Sequence, residues 1–203
     1  VDKPFTKEAS FNFDKFRRHV AAAMRMMDDI IDLELEKVEA ILEKISKDPE
    51  DEDIRQVEVK LWEKIREKAL QGRRTGLGIT AEGDMLAALG LRYGTDEATD
   101  FAVEIQKTLA VEAYRTSVKM AQERGKFPIY DAGREEGNPM IERIKEADPA
   151  LYEEMVKHGR RNIAMLTIAP TGTTSLMSQT TSGIEPAFRP VYTRRRKDNP
   201  SDK

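Results

Sequence analysis

The run "IAMLTIAPTGTTS", residues 163–175, sets the fold class. Residues 163–169 are almost wholly apolar, too few for a typical helix, and lack the apolar–polar alternation of a strand with one wet face. They predict a strand covered on both faces, the kind that builds parallel sheets and barrels. Pro170 then ends the ladder, Gly172 lets the backbone turn, and Thr173, Thr174 and Ser175 open a helix whose first amides have no partner within it. Free amides at the positive end of a helix, with hydroxyls beside them, suit a phosphate. The lysine of a GxxxxGK[ST] loop is missing. A cradle of Pro170, Thr171, Gly172, Thr173, Thr174 and Ser175 would therefore position a nucleotide rather than cleave its phosphoanhydride. Read alone, the pattern also fits an ordinary capped strand-to-helix turn.

Outward from that strand, further strand candidates are sparse. "RRTGLGIT", residues 73–80, has two glycines around Leu77, which suggests a short extended element over 76–80 closely approached by another backbone. Residues 190–194 form another weak candidate. Two such runs cannot shelter a doubly covered strand, so either helices cover it or the remaining strands belong to another polypeptide. The expected fold is mainly α with a few strands.

Apolar residues at three- and four-residue steps, Phe13, Phe16, Val20, Met24, Met27 and Ile31, predict a helix over about 14–47, with a break allowed near Leu33. A second helix runs through Ile54, Val57, Leu61, Ile65 and Ala69 and stops at Gly72. Thr80 is the expected N-cap of a short helix ending at Gly90. Thr95 caps a third long helix with Phe101, Ile105 and Leu109 inward and Gly125 beyond its end; residues 125–139 read as loop. Asp148 and Pro149 open a short helix that ends before Gly159. The chain divides into a helical segment, 1–72, a second helical segment, 73–158, and a strand, loop, helix and strand over 159–197, all within one partial domain.

At 203 residues and 39% hydrophobic content the chain fits one domain or a large piece of a bigger one. Acidic side chains number 37 against 34 basic, so no global basic surface recruits nucleic acid. With no cysteine the chain has no disulfide framework, thiolate metal site or thiol nucleophile of its own. No stretch approaches the length of a membrane span, and the opening residues lack the apolar core of a secretion signal, so neither a membrane nor an export route is expected and the address is cytoplasmic.

Asp28, Asp29 and Asp32, followed by Glu34 and Glu36, have helical spacing, and Asp28 and Asp32 share a face. Neither His19 nor His158 follows an acidic residue by three positions, so a solvated or structurally paired face is expected and no metal site is assigned. The histidines read as surface or helix-end residues. Arg194, Arg195, Arg196 and Lys197 read as a solvated strand end, Met24, Met26 and Met27 as core filling, and Trp62 as a helix contact.

Residues 159–197, "GRRNIAMLTIAPTGTTSLMSQTTSGIEPAFRPVYTRRRK", closely resemble the later part of the catalytic chain of ribonucleotide reductases, above all the adenosylcobalamin-dependent class. "RRTGLGITAEGDMLAALGLRYG", residues 73–94, and "FDKFRRHVAAAMRMMDDIIDLE", residues 13–34, resemble the preceding family segments in the right order. The resemblance implies part of a ten-stranded α/β barrel in which a radical cysteine abstracts a hydrogen atom from the ribose. It also implies that Pro170, Thr171, Gly172, Thr173, Thr174 and Ser175 hold the substrate's phosphates, with Gly183, Ile184, Glu185 and Pro186 shaping the next loop.

The family's radical cysteine, its redox cysteine pair and the asparagine and glutamate beside the radical are expected before residue 1, and its C-terminal cysteine pair after residue 203. No catalytic residue is therefore assigned to this chain, which is expected to be inactive alone, either as a fragment of a longer enzyme or as a subunit of a split one. The partners implied are a ribonucleotide and the cysteine-bearing remainder, which would bind most of the adenosylcobalamin; a homodimer is compatible with the same picture. An oxygen-dependent reductase with a diiron partner and a non-catalytic helical interaction module are the rival readings.

Overall fold

The computed structural model describes residues 1–189, 191 and 193. Among these residues the fold is mainly helical, in seven α-helices. Helix α1, Phe13–Ser46, opens on Asn12, whose side chain accepts from the Lys15 amide. It runs unbroken through Leu33: no glycine or proline interrupts it, and Leu33 lies on the exposed side. Met24, Ile31, Val38 and Ile45 recur every seven residues and are all buried, a heptad-like seam for the helices beside it. Met26 lies outside this seam and is 65% exposed, so it does not fill the core as expected.

Helix α2, Glu52–Gly72, doubles back along α1. Ile54, Val57 and Leu61 of its expected apolar stripe are exposed among the described residues. The left-handed stop expected at Gly72 falls on Arg73, with φ 45°. Gly72 instead serves close packing: an added Cβ would lie 3.1 Å from Ile163 Cγ2, and its carbonyl accepts from the Ile163 amide at 2.9 Å. Helix α3, Glu82–Ala88, follows Ala81 at φ 64°, and Thr80 does not cap it because its hydroxyl is engaged elsewhere.

Helix α4, Asp96–Arg124, matches its expected cap and ends, with Ile105 and Leu109 buried and Phe101 partly so. It packs on α1 and also meets α5 and α6. The loop after it holds a 3-10 turn, Ala132–Glu135. Helix α5, Pro139–Ala147, was not expected, although Asn138 and Pro139 open it with the same cap-plus-proline device that opens α6, Pro149–His158, at Asp148. The core lies where α1, α4, α5 and α6 converge on Met165.

Two of the three strand candidates meet in parallel. Leu77 donates to Met165 O at 2.7 Å and accepts from the Thr167 amide at 2.9 Å, and Thr75 donates to Ala164 O at 2.9 Å. Among the described residues this gives one bridge, Leu77 with Leu166, and no strand. Each run has a single neighbour, so no ladder grows on its other edge. The expected double cover also fails toward the end of the run: Met165 is 2% exposed, Ile168 58%. The close approach predicted at the glycines is present, since a Cβ on Gly78 would collide with the Thr167 carbonyl oxygen. The candidate over 190–194 and the basic residues Arg194, Arg195, Arg196 and Lys197 lie largely or wholly outside the described residues.

Candidate anion-binding turn

The chain leaves the 163–169 run, passes Pro170, and turns at Thr171 into α7, Gly172–Ser178. The turn does not fall on Gly172 as expected. Thr171 itself is left-handed, at φ 47° and ψ 24°, a conformation that costs a β-branched residue about 1–3 kcal/mol and persists only where its surroundings fix it. They do so through its hydroxyl, which accepts from the Gly183 amide at 2.7 Å and pairs with the Thr80 hydroxyl at 2.9 Å. The Thr171 carbonyl closes the first helical turn by accepting from the Ser175 amide at 2.8 Å.

The amides of Gly172, Thr173 and Thr174 have no acceptor among the described residues, and all three residues are exposed. A Cβ on Gly172 would meet nothing within 4 Å, so the surface is open beside the first residue of α7. The other members of the predicted set face inward or lack a donor. Ser175 is 6% exposed and spends its hydroxyl on the Gly172 carbonyl at 2.8 Å, while Pro170 has no N–H. Residues 170–188 contain no lysine or arginine. An anion here would meet three amides, dipoles that hold a charge without a basic side chain from residues 170–188.

Two polar clusters fix the scaffold behind the turn. In the first, Asp28 is fully buried on α1; its carboxylate accepts from Arg73 Nε at 2.9 Å, Asn162 Nδ2 at 2.9 Å and Arg161 Nε at 3.3 Å. Burial, the largest single influence, pushes its carboxyl up, but Arg73, Asn162 and Arg161 together hold it below the usual range. Arg73 also binds Asp32 at 2.8 Å, and Arg124 binds Asp29 at 2.7 Å. The three carboxylates lie close enough to share an ion. Their guanidinium partners make them the structurally paired face that the sequence allowed.

In the second cluster Arg160, 3% exposed, makes a two-pronged bond to Glu135, at 2.5 Å from each terminal nitrogen, beneath the rings of Tyr114, Phe127 and Tyr130. Burial raises the pKa of the Tyr114 hydroxyl. Arg160, Glu135, Tyr114 and Phe127 line a cavity of about 320 Å³ with Asn138 and Met140. Sequence pattern missed Thr80, Arg73, Arg160 and Asn162, since a buried arginine and a surface one look alike without their partners. His19 is exposed on α1, and His158 ends α6 beside Glu154 at 3.4 Å.

Among the described residues, helices pack around a parallel pair of extended runs, one of which ends in a turn with open amides. The family described as "Ribonucleotide reductase, barrel domain" matches residues 2–201, and the chain belongs to it. A vitamin B12-dependent ribonucleoside-diphosphate reductase of Mycobacterium tuberculosis is 30% identical over 183 residues, 90% of this chain and 20% of that protein. One from Thermoplasma acidophilum is 28% identical over the same length, 90% of this chain and 18% of its own. The ribonucleoside-diphosphate reductase large chain of Encephalitozoon cuniculi is 25% identical, covering 94% of this chain and 23% of its own. The chain thus spans about a fifth of the length of the curated relatives it matches.

Proposed function

We propose that this chain supplies the part of a ribonucleotide reductase barrel that holds the substrate's phosphates, and that the substrate is a ribonucleoside diphosphate. The observation that carries the reading is the unpartnered row of amides at Gly172, Thr173 and Thr174, open to solvent at the end of the 163–169 run. Family membership supports it, and the relatives' names favour the diphosphate. The residues' contribution is orientation: abstraction of a ribose hydrogen needs the sugar held within reach of the radical, and alignment of reactants can contribute roughly 7–11 kcal/mol.

The segments 1–72, 73–158 and 159–197 serve in this reading as one partial unit, completed by a cysteine-bearing remainder. Ile168, Leu176, Met177 and Phe188, between 58% and 93% exposed around the turn, form the apolar surface on which that remainder would sit. The radical source is proposed to be adenosylcobalamin, in keeping with the B12-dependent relatives. Residues described here do not fit that cofactor: His19 lies on a helix surface and His158 is paired with Glu154, so the remainder would hold it. Among the described residues no helix is long and apolar enough to cross a membrane; the proposed address is cytoplasmic.

The test is reconstitution. The chain, combined with a cysteine-bearing remainder, adenosylcobalamin and a ribonucleoside diphosphate, should form deoxyribonucleotide without a second radical-generating subunit. Turnover only when a diiron subunit is added would replace the cobalamin reading, and absence of turnover with either source would overturn the enzymatic one.

A further inference from the structure

Thr80 was expected to cap α3, and its hydroxyl points instead to the turn at Thr171. Each threonine hydroxyl has one proton to give. The Thr80 hydroxyl donates to the Thr181 carbonyl at 3.1 Å, so in its 2.9 Å contact with Thr171 the proton comes from Thr171. The Thr171 oxygen in turn accepts from the Gly183 amide. The order is fixed along the whole relay: Gly183 N–H to Thr171, Thr171 O–H to Thr80, Thr80 O–H to the Thr181 carbonyl. The Thr181 amide donates to Asp84 at 2.8 Å, so the segment bearing Thr80 and Asp84 grips both polar groups of one peptide residue in the following loop.

We infer that Thr80 is a positioning residue for the phosphate-binding turn: its hydroxyl takes the Thr171 proton, holds Thr171 left-handed, and so aims the amides of Gly172, Thr173 and Thr174 outward. A corollary revises the donor set, because a Thr171 hydroxyl committed to Thr80 has no proton for a phosphate. The inference deepens the proposed function and rests on it. Thr80 touches no ligand in this scheme; it acts only through Thr171.

The experiment compares Thr80→Val, which keeps the shape and removes the relay, with Thr80→Ser, which keeps the hydroxyl, in the reductase reconstituted with the cysteine-bearing remainder. Thr80→Val should raise KM for the ribonucleoside diphosphate by about threefold to tenfold, the size of one lost hydrogen bond, and by more than it lowers kcat. Thr80→Ser should restore KM to within about twofold of the parent. In the chain alone, hydrogen exchange at the Gly183 amide should quicken in Thr80→Val and not in Thr80→Ser. Thr80→Ala serves in the same measurements where the valine variant does not fold. Gly172→Val is the parallel arm, since it obstructs the ligand and leaves the relay untouched. A raised KM in Gly172→Val with an unchanged KM and Gly183 exchange in Thr80→Val overturns the role of Thr80 alone; an unchanged KM in Gly172→Val overturns the phosphate site itself.

Discussion

Asn162 reaches across 134 residues of chain to donate its side-chain amide to Asp28 at 2.9 Å, and both groups are fully buried. The bond ties the middle of α1 to the entrance of the run that leads to Thr171. Ser117 on α4 completes the join by donating to Asn162 Oδ1 at 2.9 Å. Three elements that position the turn are thereby locked by one satisfied polar network.

Removal of the carboxylate at its centre should be severe. Asp28→Ala leaves Arg73, 4% exposed, without its buried partner, a change expected to cost about 3–5 kcal/mol in urea denaturation. Because the folded carboxyl lies below its ordinary value, its contribution is complete above the unfolded pKa, near about 3.9, and is lost as pH falls through the lower folded one. The parent should lose stability below about pH 4. Asp28→Asn should be weaker at neutral pH and flatter across that window; an equally steep acid limb would refute the assignment.

Gly78 predicts a backbone effect. A methyl there would collide with the Thr167 carbonyl oxygen, an atom that cannot turn aside without breaking the pairing of Leu77 with Thr167. Gly78→Ala should destabilise by about 1–3 kcal/mol. Gly76→Ala, whose Cβ would lie 3.1 Å from the rotatable Thr167 Cγ2, should cost less. Equal tolerance of both, by thermal melts, would show that the close approach has no energetic weight.

Local signals in the sequence were read well where they were strictly local. Thr95 and Asp148 cap α4 and α6 because a hydroxyl or carboxylate at that place satisfies an amide two or three residues on. The same signal at Asn138 and Pro139 stands at the end of residues 125–139, whose composition reads as loop. Long-range chemistry was not legible. The spacing of Asp28 and Asp32 showed a shared face, but their partner Arg73 lies 45 and 41 residues away, and nothing in "GRRT" separates the buried Arg73 from the exposed Arg74. At the turn, the glycine rule pointed to Gly172, whereas tertiary hydrogen bonds force the strained geometry onto Thr171. The strands were legible as extended runs; ladders need neighbours that the described residues do not supply.

Arg160 offers a test of geometry against charge. Its planar fork meets both Glu135 oxygens while the centroids of three aromatic rings lie within 5.7 Å of its guanidinium carbon, which an ammonium group cannot reproduce. Arg160→Lys should therefore destabilise by about 3 kcal/mol despite keeping the charge. A double-mutant cycle with Glu135→Gln should give a coupling of at least about 1 kcal/mol. A lysine variant as stable as the parent would mean that charge alone suffices.

Gly172 separates folding from binding most cleanly. It lies at the first position of α7, its φ is not in the left-handed region, and an added side chain would meet nothing within 4 Å. Gly172→Val should leave the melting temperature of the chain within about 2 °C of the parent, a surface-sized effect of about 0.5 kcal/mol or less. The same branched side chain sits on the first residue of the turn that carries the three open amides, where a phosphate would need to approach the backbone. In the reconstituted reductase KM should rise about tenfold or more, whereas Thr173→Ala and Thr174→Ala, each removing one hydroxyl, should each raise it about threefold to tenfold. Ser175→Ala should act on stability instead, because that hydroxyl is spent on the Gly172 carbonyl. A Gly172→Val enzyme with parental stability and parental KM would leave the open amides without a ligand.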